Sequence, residues 1–114
     1  MQNRVIKFRG FRLDKSEMVY GDLIHGVGRK AGRVYILPLK ENLAYIKDCD
    51  PLDGIEVIPG TEAQFTGLTD KNGVEIYEGD VVEKCYGSSV KTGVVAWHQE
   101  RAMFILQDGF NEPL

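Results

Sequence analysis

An Asn-Gly pair at residues 72–73, inside Asp70-Lys71-Asn72-Gly73, obliges the chain to double back on itself. Asn-Gly suits the positive-φ positions of a type I′ hairpin turn, so the flanking residues are expected to pair as antiparallel strands. Similar punctuation recurs along the chain. Gly accounts for 13 of 114 residues, against about 7% in average usage. Val and Ile together number 19, against five Ala. β-Branched side chains fit pleated surfaces and glycines serve turns and bulges. This composition favours short strands joined by tight turns over helices.

The chain can be parsed on that basis. Val5 to Leu13 reads as a strand with Ile6 and Phe8 on one face and Lys7 and Arg9 on the other. Met18 to Ile24 returns beside it as a hairpin. Gly26 to Arg33 is a glycine-rich basic connection. Its G-x-G pair lacks the following helix and the G-K-[ST] of a phosphate loop, so a hairpin end is the simpler reading. Val34 to Leu37 is a short strand closed by Pro38. Leu39, Leu43 and Ile46 then recur at helical spacing, so residues 39–47 read as helix or strand. Asp48 to Gly54 is a loop between halves. Ile55 to Ile58 is a strand stopped by Pro59-Gly60, and residues 61–69 read as irregular or as one helical turn. Beyond the hairpin, Glu75 to Val82 is extended with a kink or bulge at Gly79-Asp80. Val81 to Tyr86, Val90 to His98 and Met103 to Gln107 then form a meander at roughly ten-residue spacing.

The fold expected is mainly β, a single domain over residues 1–114 with sub-units at 1–47 and 55–109. N-terminal hairpins lead to a C-terminal meander that can close as a small SH3-like barrel. A helix at 39–47 or 59–66 would make it α+β. No apolar run reaches the ~18 residues of a membrane span. The opening residues lack the apolar stretch of a signal peptide. A cytoplasmic setting in a bacterial host is therefore expected. Cys49 and Cys85 lie far apart with no nearby His pair, which excludes the usual zinc spacings and fits two reduced thiols.

Catalytic chemistry finds little support. Only two histidines are present, His25 and His98, and His98 ends a predicted strand. The acidic group Asp70, Asn72, Glu75, Glu78 and Asp80 fails the calcium-loop register, because Gly73 stands fourth and Val81 twelfth. No catalytic residue, metal, cofactor or small-molecule substrate is indicated. Charge is more informative. Residues 1–40 carry nine Lys/Arg and three Asp/Glu, a balance of +6, and residues 41–114 carry five and fourteen, a balance of −9. Such a dipole can steer head-to-tail self-association or offer a basic face to a polyanion. Arg4, Lys7, Arg9 and Arg12 are the candidate nucleic-acid or interface residues, interleaved with Phe8, Phe11 and Tyr20.

The longest distinctive segment runs Gln64-Phe65-Thr66-Gly67-Leu68-Thr69-Asp70-Lys71-Asn72-Gly73-Val74-Glu75-Ile76-Tyr77-Glu78-Gly79-Asp80-Val81-Val82. With Ile6-Lys7-Phe8-Arg9-Gly10-Phe11, Met18-Val19-Tyr20-Gly21-Asp22-Leu23 and Val57-Ile58-Pro59-Gly60-Thr61, it resembles the YopX family across most of the chain. Glu62-Ala63 and the short C-terminal end depart from that pattern. The resemblance implies a small phage or prophage protein, with oligomers among its relatives and no catalytic residues to carry over. Gly67, Asp70, Asn72, Gly73, Ile76, Tyr77, Gly79 and Asp80 are expected to be structural, with Asn72-Gly73 turning the chain and Gly79 relieving a bend. Three readings follow: a self-associating interaction module, a nucleic-acid-binding accessory protein, or an enzyme with a pocket around His98 or the Asp70–Asp80 carboxylates.

Overall fold

The structure, a computed structural model, describes residues 5–14, 16–38, 54–107 and 112–114, with Tyr86 by its backbone alone. The 39–47 segment and Arg4 lie outside the described residues. The fold is mainly β. Among the described residues ten strands run in chain order: β1 Phe8–Phe11, β2 Met18–His25, β3 Val34–Pro38, β4 Ile55–Val57, β5 Ala63–Thr69, β6 Glu75–Tyr77, β7 Val81–Tyr86, β8 Ser89–His98, β9 Met103–Gln107 and β10 Glu112–Pro113. They make one six-stranded sheet, ordered β4-β3-β2-β1-β5-β6, and one four-stranded sheet, ordered β10-β9-β8-β7. The recorded strand pairings are antiparallel. Among the described residues the only helix is one 3-10 turn, Gly28–Lys30. It sits at the β2–β3 hairpin end, which the Gly26 N–H closes onto the Arg33 carbonyl at 2.9 Å. Residues 63–69, expected to be irregular or helical, form β5 instead.

The chain divides into two compact units, residues 1–65 and 66–114, the division falling within β5. In the first unit, alternation decides what is buried. Phe8 and Gly10 share a face with Val19, Leu23, Val34, Ile36, Ile55 and Val57 through the β1–β2, β2–β3 and β3–β4 registers. Val19, Ile36 and Val57 are wholly buried, and Phe8 and Leu23 pack against that core. Gly10 is glycine because Val57 lies on top of it: a Cβ there would stand 2.9 Å from both Val57 γ-carbons. β4 is bonded along both edges. Besides its ladder with β3, Ile58 N–H donates to the Phe11 carbonyl at 2.9 Å and Leu13 N–H to the Glu56 carbonyl at 3.1 Å. Arg12 bridges Val57 between these bonds. The four strands thus curl until the last meets the end of the first.

In the second unit, the expected C-terminal barrel is not closed by a ladder: β7 and β10 are the two ends of the sheet. Side chains span the gap. Lys84 of β7 and Lys91 of β8 stand directly opposite. The Lys84 ammonium donates to the Pro113 carbonyl at 2.9 Å, and Lys91 pairs with Glu112 at 2.6 Å. Two like charges placed opposite would repel, and β10 supplies both with acceptors. Val95 and Leu106, paired across β8 and β9, are buried, and Trp97 meets Phe104 edge-on with ring centres 5.1 Å apart.

Candidate interaction surfaces

The residues of the distinctive segment build turns. Asp70 N–H donates to the Val74 carbonyl at 2.8 Å, and Gly73 N–H to the Asp70 carbonyl at 3.0 Å. Gly73 has φ 81°, whereas Asn72 is not among the positive-φ residues. The reversal is therefore a three-residue loop ending in a left-handed glycine rather than the expected type I′ turn. Asp70 decides between them. Its Oδ1 accepts from Asn72 N–H at 2.8 Å and from Val74 N–H at 2.9 Å, which fixes the loop from inside. At Tyr77-Glu78-Gly79-Asp80 the Asp80 N–H donates to the Tyr77 carbonyl at 3.1 Å, Gly79 has φ 90°, and the Asp80 carboxylate accepts from Tyr77 N–H at 2.8 Å. Tyr77 is buried, and Ile76 is half-buried.

Gly67 adds a bulge that sequence alone did not reveal. It takes φ 89° inside β5. The neighbouring Thr66 hydroxyl donates to the Ile76 carbonyl at 2.8 Å and accepts from Leu68 N–H at 3.2 Å. The hydroxyl thus ties β5 to β6 and braces the backbone beside the left-handed glycine.

The basic row does not hold together as one surface. Arg9 is half-buried on the sheet face opposite to Phe8, paired with Tyr20 on β2 and Ala63 on β5, with Phe11 two residues along. Lys7 is half-buried, its ammonium 5.0 Å from the centre of the Phe65 ring. Arg12 faces the other way and is 1% exposed. Its guanidinium forks onto Asp14, Nε to Oδ1 and Nη2 to Oδ2 both at 3.0 Å, and Nη1 reaches Glu17 at 3.1 Å. Its parity with Phe8 and Gly10 carried that signal in the sequence.

The second unit holds the other surface. β7 has β8 on one side and ends the sheet on the other. Beside it a cleft of about 610 Å³ is lined by Leu68, Ile76, Val82, Leu106 and Leu114, with Asp70, Lys71 and Glu83 among its polar groups. Exposed valines continue onto the sheet: Val81 and Val94 are cross-strand partners, and Val90 stands opposite the exposed, free thiol of Cys85. His98 accepts from Arg101 N–H through Nδ1 at 3.1 Å and so closes the β8–β9 turn. Among the described residues, no group of three or more His, Cys, Asp or Glu side chains could hold a metal ion, and no helix is long and apolar enough to cross a membrane.

A comparison with curated proteins finds no match. A family model, described as YopX protein, matches residues 7–113, so that both units, their turns and the intervening bulge fall within it. On that match, spanning nearly its whole length, the chain belongs to the YopX family.

Proposed function

We propose that the chain is a non-catalytic interaction module, encoded by a phage or prophage, that associates with copies of itself. The observation that carries this reading is the edge of β7, which among the described residues has no strand on its outer side, beside an apolar cleft. An unpaired strand edge is a ready template for another strand, and soluble proteins normally blunt such edges. Sedimentation velocity over a range of protein concentration tests the reading, with and without labelled single- and double-stranded DNA. A discrete oligomer that ignores DNA supports it; a strict monomer at low salt overturns it.

A second reading, a nucleic-acid-binding accessory protein, is favoured by one feature, Arg9 set among the half-buried Phe11 and Tyr20 on one sheet face. Aromatic faces stack on bases and cations track phosphates. It requires DNA or RNA to co-sediment, salt to release it, and Lys7→Ala with Arg9→Ala to weaken it. Arg12→Ala does not belong in that test, because Arg12 is buried and paired.

A further inference from the structure

The β2–β3 hairpin ends in charge of one sign. Between Leu23 and Pro38 the chain has three cations, Arg29, Lys30 and Arg33, and no Asp or Glu. The acids of the flanking ladder are Asp22, opposite Leu37, and Glu56, opposite Tyr35. Neither meets the two arginines. Arg29 and Arg33 are exposed, and among the described residues their side chains make no hydrogen bond, ion pair or ring contact. Lys30 is half-buried, its ammonium 5.8 Å from the centre of the Tyr35 ring.

This end stands clear of the sheet. β1 pairs with β2 only as far as Gly21, and β4 with β3 only as far as Val34, so residues 26–33 lie beyond the last rung of either neighbour. Val27 is 81% exposed. Backbone bonds set the shape: Lys30 N–H donates to the Val27 carbonyl and Arg33 N–H to the Lys30 carbonyl, both at 3.0 Å. The Arg29 and Arg33 side chains are not needed for it. Alternation puts Arg33 with Tyr35, and the registers put Tyr35 on the face of Ile24, Tyr20 and Arg9. The hairpin end thus continues the face on which the nucleic-acid reading stands.

Its chemistry suits a phosphate backbone. Guanidinium groups fork onto phosphate oxygens. Binding to single strands uses aromatic platforms for the bases, but the one aromatic between Leu23 and Pro38, Tyr35, is buried. A membrane-seated element inserts Trp, Phe or Leu, and the exposed large apolar residue here is a lone valine. A two-stranded ribbon fits the major groove of duplex DNA, about 12 Å wide. The chain's net charge is −3, so a polyanion must be held locally, within a Debye length of about 8 Å. A projecting end permits that.

We propose that the β2–β3 hairpin end binds the phosphate backbone of duplex DNA through Arg29 and Arg33, without reading its sequence. This rests on the nucleic-acid reading and gives it a site. Self-association through β7 is compatible with it, since the hairpin belongs to the first unit and β7 to the second.

Fluorescence anisotropy of labelled duplex DNA, titrated with the full chain over a salt series, tests it. Each phosphate neutralised contributes about 0.9 to the slope of log K against log salt. Arg29→Ala with Arg33→Ala is therefore expected to lower that slope by about 2 and to weaken binding equally on unrelated sequences. Arg29→Lys with Arg33→Lys keeps both charges and should keep the slope. Lys71→Ala with Arg101→Ala removes the same charge from the second unit and should leave the slope unchanged. Far-ultraviolet circular dichroism checks that each variant keeps its fold. A hairpin variant with the unmodified slope, or an equal loss in the second-unit variant, overturns this site and leaves the nucleic-acid reading to Lys7 and Arg9. An unmodified chain that binds no duplex DNA overturns both, and so does one that binds only vesicles of anionic lipid.

Discussion

A guanidinium can be buried at the end of a small sheet only if most of its donors are met. Arg12 meets that condition locally, because the turn after β1 brings Asp14 and Glu17 back over it. Its partners are themselves 61% and 49% exposed, so the pair is asymmetric. Removing Arg12 leaves carboxylates that water can solvate. Removing the carboxylates takes both anions from a buried cation. Asp14→Ala with Glu17→Ala is therefore expected to cost more stability than Arg12→Met, about 3 kcal/mol or more. Arg12→Lys is expected to destabilise as well, since an ammonium cannot reproduce the fork. Chemical denaturation of the three variants measures the order, and a stable Asp14/Glu17 variant would refute the role given to the pair. Gly10 makes a second test at this scale. Gly10→Ala drives a methyl against Val57 and is expected to cost about 1–3 kcal/mol by overpacking, read by the same denaturation. Both assignments were legible in part, because Phe8, Gly10 and Arg12 alternate with Lys7, Arg9 and Phe11. What hid Arg12 was its charge, which usually marks a surface residue. Its burial depends on a turn whose path the sequence did not reveal.

Among the elements, β2, β3 and β7 to β9 match the alternation and turn signals that foretold them. β5 does not, and its residues explain why. Ala63-Gln64-Phe65-Thr66-Gly67-Leu68-Thr69 has a glycine at its centre, which ordinarily weakens a strand. Its first partner, β1, lies more than fifty residues away in the sequence, where no local pattern can announce it. The Thr66 hydroxyl makes the glycine tolerable by bonding both Ile76 and Leu68. Thr66→Val keeps the shape and removes both bonds, and is expected to cost about 1–3 kcal/mol. Thr66→Ser keeps them and should retain most of the stability. Thermal unfolding that cannot tell the two variants apart would show that the bulge needs no hydroxyl. The Asn72-Gly73 reversal was placed correctly and typed wrongly. Asp70 tipped the balance by bonding two backbone N–H groups inside the loop, a choice that dipeptide preference does not record.

At the scale of the molecule, charge looks different once the fold is known. The +6 and −9 halves meet at residue 40, whereas the units meet within β5. Residues 1–65 carry ten Lys/Arg and nine Asp/Glu, and residues 66–114 carry four and eight, giving +1 and −4. The gross dipole shrinks, and part of the basic row is spent on internal pairing at Arg12. What remains is local: in the second unit the cleft beside β7 carries both signs, Asp70 and Glu83 with Lys71 and Lys84. The sequence displayed both sets of residues but could not say that β7 ends a sheet, since an edge is a property of topology. Local attraction between exposed charges fades within a Debye length of about 8 Å at physiological salt. Self-association through the β7 edge should therefore change little as salt rises from about 0.05 to 0.5 M, because the charges beside the edge balance and its apolar part is insensitive to screening. Leu68→Lys, which puts a charge into the cleft, should weaken it at every salt concentration. A dissociation constant from sedimentation equilibrium that rises steeply with salt, or that ignores Leu68→Lys, would place the contact on another surface.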